Sequence, residues 1–316
     1  MILSAATAPR YIGRFAPSPT GPLHLGSLYT ALASFLDARQ HQGLWLLRID
    51  DLDKPRNAPG AADAIQHCLE RFGLHWDGTV FFESRHRRDY HAHLHQLLQH
   101  QQLYACRCSR KQLEGHAVYP GFCRKQNWQI TADTTLRVKT CEQTLSFHDR
   151  LQGLIENHLG SEHGDFIVRR RDRIIAYQLA VVVNDHLQAV NHVVRGIDLL
   201  PSTIKQLYLY QQLNYPPPIY MHVPVIVDAT GAKLSKQTLA APVDTQKPET
   251  TVFTLLQLLG QNPAPDLRGA PVAEQLAWGV AHWHPDALLD HKTLPTPAAL
   301  AVTNDRGNLS TTALPR

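Results

Sequence analysis

The sequence predicts an α/β fold built on a doubly wound parallel sheet. Two short runs, "YIGRF" and "LWLLRID", have the composition of strands, and the second is apolar almost throughout, as buried parallel strands are. A helix follows each run, because apolar side chains recur at helical spacing over residues 24–40 and again over residues 65–72. Strands that alternate with helices in this way indicate parallel pairing.

The rest of the chain interrupts and then resumes this pattern. A further helix is predicted around Tyr90 and Leu94, and the polar, basic stretch 104–128 that follows reads as an insertion. Strand and helix patterns return over 165–187, 192–213 and 222–236, and short helical patches between prolines follow Thr238. The predicted organisation is one half of the main domain at 1–100, an insertion at 101–165, the second half at 166–240 and a small helical region at 241–316.

The composition is that of an ordinary globular protein. A chain of 316 residues, 43% hydrophobic and 18% charged, can bury a sizeable core and is not disordered. The longest apolar run, around "LAVVV", is too short to cross a bilayer, and the first residues lack the features of a signal peptide. We therefore expect a cytoplasmic monomer without a membrane partner. Its net charge of +4 permits a polyanionic partner such as RNA.

The stretch "RFAPSPTGPLHLGS", residues 14–27, lies between the first strand and its helix. Proline fixes backbone angles and glycine lets the chain pass close to a ligand, so this is a preorganised loop at a helix N-terminus, where phosphate binds. His24 can donate to phosphate oxygens, and Gly26 leaves room for a nucleotide. The alternative is a tight turn whose histidine merely caps the helix.

A second element, "KLSK", places Lys233 and Lys236 around a turn after a strand. Two ammonium groups can neutralise a triphosphate while it is cleaved. Together the two elements resemble the class I aminoacyl-tRNA synthetases, whose HIGH and KMSKS motifs match "HLGS" and "KLSKQ" here. Leucine is a volume-conserving replacement for the methionine, and both lysines remain.

The resemblance extends to the glutamyl-tRNA synthetase branch of that class. It is carried by "RFAPSPTGPLHLGSLYTALASFLDAR", "RIDDLD", "AYQLAVVVNDHL" and "VVRGIDLLPSTIKQLYLYQQL", which together span most of residues 10–240. Only 79 residues follow Gln237, too few for the large anticodon-binding domains of that branch. The chain is similar instead to the truncated glutamyl-queuosine tRNA(Asp) synthetase family.

This resemblance implies a Rossmann-like catalytic domain with a defined reaction. ATP with Mg²⁺ would activate L-glutamate to glutamyl-adenylate without tRNA, and glutamate would then pass to the queuosine base in the anticodon of tRNA(Asp). The alternatives are a glutamyl-tRNA synthetase that relies on a separate anticodon-binding subunit, an idle RNA-binding paralogue, and a nucleotidyltransferase acting on a small molecule. The basic runs "SRHRR" and "VRRRDR" are either tRNA contacts or solvated faces.

The resemblance also implies the site residues. Those carried over for glutamate are Arg14, Ala16, Pro17, Ser18, Asp50, Tyr177 and Arg195; those for ATP are His24, Gly26 and Lys236; and those for catalysis are His24, Lys233 and Lys236. The chemistry is suitable, because an arginine fork binds carboxylate and a carboxylate pairs with ammonium; Arg195 is predicted to take the side-chain carboxylate. The alternatives are surface salt bridges for Arg14 and Arg195 and a core aromatic for Tyr177. Asp50 is one methylene shorter than the family's glutamate, which predicts a weaker contact with the ammonium group.

Three of the five cysteines lie in the stretch 104–128. Cys106, Cys108 and Cys123 offer three thiolates, and a structural zinc ion takes four ligands. The residues alone do not identify the fourth ligand: His116 is the more usual donor, and Cys141 is another candidate. The alternative to a metal site is that the three cysteines are free thiols. The family resemblance implies a structural zinc site made by Cys106, Cys108, Tyr119 and Cys123.

Overall fold

The computed structural model describes residues 10–228, 230–234, 243 and 247–297. The strands are β1 (Ile12–Phe15), β2 (Leu44–Ile49), β3 (Phe81–Phe82), β4 (Leu103–Cys106), β5 (Thr135–Val138), β6 (Thr144–Asp149), β7 (Gly153–His158), β8 (Ile167–Arg169), β9 (His192–Gly196), β10 (Ile219–Val223), β11 (Val225–Val227) and β12 (Thr293–Pro295). The helices are α1 (Leu25–Gln40), α2 (Ala61–Arg71), α3 (Arg87–Gln99), α4 (Tyr177–Leu187), α5 (Leu200–Leu213), α6 (Pro248–Leu258) and α7 (Val272–His282).

Parallel strands form the centre of the molecule, as the sequence predicts. β1 pairs with β2, β2 with β3, and β9 with β10, all in parallel. The Asn191 amide donates to the Ile12 carbonyl at 3.0 Å, which places the start of β9 beside β1. Phe15, Asp50 and Gly196, at or just after the carboxyl ends of β1, β2 and β9, line one cavity, and open α/β sheets bind ligands at such ends.

Antiparallel strands occupy the region between α3 and α4. β4, β5 and β8 form one three-stranded sheet, and β6 and β7 form a hairpin. The Arg150 amide donates to the Tyr220 carbonyl at 3.0 Å, so the hairpin turn is attached to β10. The hairpin therefore brings side chains from the middle of the chain next to β10.

Two hydrophobic cores hold the elements together. The first surrounds α1, β1 and β2 and includes Trp283, which follows α7; its indole donates to the buried Asp37 carboxylate at 3.0 Å. The second lies among α3, α4, α5 and the antiparallel sheet. The helices of residues 247–297 thus pack on α1 and fix the element that begins at the predicted phosphate-binding loop. Within the described ranges, no helix combines the length and apolarity needed to cross a membrane.

Candidate active site

The proline-rich loop is anchored at both sides before it enters α1. The Asp50 amide donates to the Pro17 carbonyl at 3.0 Å, and the Ala58 amide donates to the Pro19 carbonyl at 2.9 Å. His24 has an extended backbone and caps α1, with its Nδ1 accepting from the Ser27 amide at 3.3 Å. The first turn of α1 carries no acidic side chain. The helix start therefore presents its partial positive charge to the space in front of the loop.

Gly26 lies where no side chain would fit comfortably. A Cβ at this position would lie 3.2 Å from two atoms of the His24 ring and 3.6 Å from the Leu234 carbonyl oxygen. The glycine lets the histidine, the helix start and the residue after Lys233 approach one another. The two motifs that the sequence analysis links are thus neighbours in space.

One cavity of about 320 Å³ collects the predicted residues. Those in its wall are Arg14, Ala16, Pro17, Ser18, His24, Gly26, Asp50, Tyr177, Arg195 and Lys233. Lys236 lies outside the described residues. We call the part with Arg14, Arg48, Asp50, Tyr177 and Arg195 the arginine end, and the part with His24, Gly26 and Lys233 the lysine end.

The arginine end rests on buried ion pairs that the sequence analysis missed. Arg48 is fully buried and donates to Asp50 at 2.9 Å and to Asp185 at 2.5 Å. Arg14 donates to the same Asp185 oxygen at 3.3 Å. Buried charges require such partners, because desolvation of an unpaired ion costs several kcal/mol. A charged residue inside the apolar run "LWLLRID" was the available signal for Arg48.

Burial and these charges shift the pKa values of the surrounding acids. Burial raises the pKa of Glu83 to about 9, and the nearby Asp50 adds to the rise. Burial opposes ionisation of Asp185 as well, but Arg14 and Arg48 outweigh it and lower its pKa. Burial raises the pKa of Asp50 despite Arg48. A ligand ammonium group beside Asp50 would favour its charged form.

The alternative interpretations, surface salt bridges for Arg14 and Arg195 and a core aromatic for Tyr177, do not agree with the structure. Arg14 and Arg195 are each 4% exposed, so neither forms a surface salt bridge. Tyr177 is 38% exposed at the cavity, so it is not a core aromatic. Its hydroxyl lies 3.4 Å from Nη1 of Arg195. Three guanidinium groups, those of Arg14, Arg48 and Arg195, and a phenol hydroxyl therefore lie at the arginine end, a combination suited to binding carboxylates.

The lysine end is more exposed. Nζ of Lys233 lies 2.5 Å from Oδ2 of Asp198, and the two side chains are 43% and 38% exposed. Solvent screens such a pair, which contributes little to stability. Lys233 can therefore exchange this carboxylate for a phosphate oxygen at small cost.

The cysteine cluster lies apart from the cavity. The sulfur atoms of Cys106, Cys108 and Cys123 all lie within 4.8 Å of one another. The Tyr119 hydroxyl is 3.5 Å from the first two and accepts from the Cys123 amide at 2.9 Å. Zinc–sulfur bonds of about 2.3 Å in a tetrahedron place sulfurs about 3.8 Å apart, so this donor set fits zinc with modest adjustment.

The other candidates for the fourth ligand do not join this cluster. His116 is exposed, and its ring lies edge-on to Phe122 with the centroids 5.7 Å apart. Cys141 is exposed as well. Although burial opposes it, hydrogen bonds from Tyr119 and Arg137 lower the pKa of the Cys106 thiol to about 7. Thiolate is the form that binds metal.

Comparison with known proteins assigns the class. The family "tRNA synthetases class I (E and Q), catalytic domain" matches residues 12–119 and 123–265. The crystal structure of a glutamate-tRNA synthetase from Elizabethkingia anophelis superimposes with a TM-score of 0.78 at 22% identity, covering 92% of this chain and 68% of that one. A likeness at this identity shows the fold. The chain belongs to the class I tRNA synthetase family and is a ligase.

Relatives of higher identity carry one name. A glutamyl-Q tRNA(Asp) synthetase from Pseudomonas fluorescens is 48% identical over 298 residues, covering 94% of this chain and 99% of that protein. A protein of the same name from Pseudomonas aeruginosa is 48% identical over 286 residues, covering 90% of this chain and 97% of the relative. The predicted family and the mixed α/β class I catalytic domain are thereby confirmed.

Proposed function

We propose that this chain activates L-glutamate with ATP, without tRNA, and transfers glutamate to the queuosine base in the anticodon of tRNA(Asp). The observation that carries the proposal is one cavity whose wall holds three buried arginines together with a helix N-terminus and a lysine. This arrangement suits a dicarboxylic amino acid beside a triphosphate. The names of the relatives support the choice of glutamate and of tRNA(Asp).

Glutamate would bind at the arginine end through its charged groups. Asp50 would pair with the α-ammonium group, and Arg195 would bind the side-chain carboxylate in an environment where charged hydrogen bonds are strong. The loop that contains Ala16, Pro17 and Ser18 would shape the wall beside the substrate. The α-carboxylate would then face the lysine end.

Activation is a displacement at phosphorus. A carboxylate oxygen of glutamate bonds to the α-phosphorus of ATP, and the bond to the bridging oxygen of pyrophosphate breaks. The start of α1, His24, Lys233 and Lys236 would neutralise the charge on the phosphates, and Mg²⁺ bound with ATP would supply further neutralisation. The protein supplies position and charge, so no covalent intermediate with a side chain is required.

Transfer would follow on the tRNA. A ring hydroxyl of queuosine would attack the activated carbonyl, and AMP would leave. The basic runs at residues 84–88 and 168–173 are candidates for contact with the tRNA backbone. The cysteine cluster with Tyr119 would hold a structural zinc ion that ties the loop after β4 to residues 119–123, outside the reacting centre.

The test is the position of the transferred label. Labelled glutamate, ATP and Mg²⁺ are incubated with tRNA(Asp) prepared with and without queuosine, and the RNA is cut with nuclease. We expect label on the anticodon fragment only when queuosine is present. Label at the 3′ end would show an ordinary glutamyl-tRNA synthetase, and absence of label from every tRNA would favour an idle paralogue or a small-molecule enzyme.

A further inference from the structure

A buried chain of hydrogen bonds leads from the hairpin turn to Arg195. Oδ2 of Asp149 lies 2.6 Å from Nδ1 of His222, and Nε of Arg195 donates to Nε2 of His222 at 3.1 Å. Asp149 and His222 are fully buried, and Arg195 is 4% exposed. Neither Asp149 nor His222 is among the described residues that line the cavity. His222 is linked to the proposed glutamate site by its bond with Arg195, and its Nε2 also lies 3.2 Å from the Thr203 hydroxyl.

The direction of each bond follows from the chemistry of the groups. The guanidinium Nε–H is always a donor, so Nε2 of His222 must accept and Nδ1 must carry the proton. Nδ1 then donates to Asp149, whose other oxygen accepts from the amides of Leu151 and Gln152 at 3.0 Å each. Burial lowers the pKa of His222, which agrees with a neutral ring. A neutral His222 with its proton on Nδ1 therefore fits this series of hydrogen bonds.

The remaining bonds of Arg195 leave one nitrogen for the cavity. Nη2 donates to Thr203 at 2.8 Å and to Gln206 at 2.9 Å. Nη1 makes a single long bond, 3.4 Å to the Tyr177 hydroxyl, among the described residues. Nε and Nη2 are therefore held by buried protein partners, and Nη1 lies beside Tyr177, which lines the cavity.

We propose that Asp149 and His222 are positioning residues that hold Arg195 in the orientation that binds the side-chain carboxylate of glutamate. This inference rests on the proposed function. It goes beyond that function by assigning substrate selection to two residues that touch no substrate. Asp149 fixes the histidine tautomer, the histidine fixes Nε of the arginine, and the arginine meets the carboxylate.

The test compares two substitutions at one position. His222→Gln keeps an acceptor near the place of Nε2, whereas His222→Asn keeps a polar group near Nδ1 and has no atom that reaches Arg195. Glutamate-dependent ATP–pyrophosphate exchange is measured for both. We expect His222→Asn to raise the KM for glutamate about tenfold to a hundredfold, the usual range for a hydrogen bond to a charged group. His222→Gln should raise it less, and the KM for ATP should stay within about twofold in both variants.

Two further variants separate positioning from packing. In Arg195→Ala, adding His222→Asn should raise the KM for glutamate no further, because the histidine acts through the arginine. Phe147→Leu is the matched control: the Phe147 ring contacts the His222 ring, with centroids 6.3 Å apart, but takes no part in the hydrogen bonds. It should leave the KM for glutamate unchanged. If His222→Asn does not fold, Asp149→Asn replaces it and should raise the same KM severalfold.

The kinetic constants of these variants separate a positioning role from its alternatives. An equal rise in KM for glutamate and ATP, or an additive effect in the double variant, would overturn the positioning role. An unchanged KM for glutamate in a folded His222→Asn or Asp149→Asn would overturn it as well. If the wild-type protein shows no glutamate-dependent exchange, the proposed function itself fails, which is a different result.

Discussion

The two ends of the cavity are built in opposite ways. At the arginine end, guanidinium groups and carboxylates are buried and bonded to one another, as in the pair between Arg48 and Asp185 at 2.5 Å. At the lysine end, backbone amides of a helix start lie beside the half-exposed Lys233. A rigid, desolvated set of charges suits discrimination between amino acids, whereas an exposed ammonium can follow phosphates that move during the reaction. We therefore expect substitutions at the two ends to change different kinetic constants.

The largest effect is expected from Lys236→Ala, in the "KLSK" motif. If its ammonium group neutralises the departing pyrophosphate as proposed, the substitution should lower kcat for adenylate formation at least about a hundredfold. The thermal melting temperature should not change. Pyrophosphate exchange measures the first, and circular dichroism the second. Retained exchange in a folded variant would contradict the proposed phosphate role of Lys236.

Arg195→Ala should change the KM for glutamate rather than kcat. Removal of a buried partner from a charge pair with the substrate should raise the KM for glutamate by about a hundredfold while the KM for ATP stays nearly the same. Arg195→Lys is the matched variant, since it keeps the positive charge and loses the planar guanidinium fork. Its KM for glutamate should lie between those of the wild type and Arg195→Ala. Equal changes in both KM values would show that the two ends do not work separately.

The cysteine cluster provides a region outside both ends. Cys123→Ser should lose zinc and lower the melting temperature by about 5 °C or more, because a structural zinc site contributes directly to folding. His116→Ala should keep about one zinc per chain, and its melting temperature should match the wild type. Zinc content is measured by atomic absorption. Loss of zinc from the His116 variant, with zinc retained in Tyr119→Phe, would reassign the fourth ligand.

The buried acids beneath the arginine end predict a pH effect on stability. The pKa of Glu83 is raised to about 9 in the folded protein, so the folded state holds a proton that the unfolded state releases above its ordinary value near 4.5. The free energy of unfolding of the wild type should therefore fall as pH rises between those two values. Glu83→Gln keeps the oxygen that accepts from Asn184 at 2.6 Å and removes the titration.

The measurement is the melting temperature of Glu83→Gln and of the wild type at pH 5.5 and pH 8.5. The variant should gain on the wild type by about 2–4 °C or more at the higher pH. Glu70→Gln, at an exposed position of α2, is the control and should follow the wild type. Parallel curves for Glu83→Gln and wild type would mean that Glu83 does not hold its proton in the folded protein.

The smallest effect is expected from Asp50→Glu. The longer side chain should reach the α-ammonium group more directly and lower the KM for glutamate about two- to fivefold, with kcat unchanged. Asp50 is also bonded to Arg48 at 2.9 Å, so the added methylene tests how closely this end is packed. A higher KM in Asp50→Glu would show that the arginine end is fitted to aspartate.

Local signals predicted the fold and the motif residues. Helix α1 and strand β2 follow from apolar spacing, and the loop between Arg14 and Ser27 follows from proline, glycine and histidine placed before a helix. The residues carried over by family resemblance for glutamate, ATP and catalysis line one cavity wherever the structure describes them. Such signals lie within one element, so a single sequence displays them.

The buried partners could not be predicted in the same way. Arg48 and Asp185 are 137 positions apart, and Asp149 and His222 are 73 apart. Nothing in a single sequence says which acid will meet which base, because tertiary packing decides it. What the sequence shows is a charged residue inside an apolar strand or helix, such as Asp185 in "AVVVNDHL", which indicates that a partner exists.

The central claim is that one cavity binds glutamate at its arginine end and ATP at its lysine end. ATP–pyrophosphate exchange without any RNA, measured with glutamate, glutamine and aspartate, tests it most directly. We expect exchange that depends on glutamate, with glutamine and aspartate far poorer, because the buried Arg195 guanidinium would pair with a side-chain carboxylate at one fixed distance. Exchange that needs tRNA, or that proceeds equally with glutamine, would contradict it.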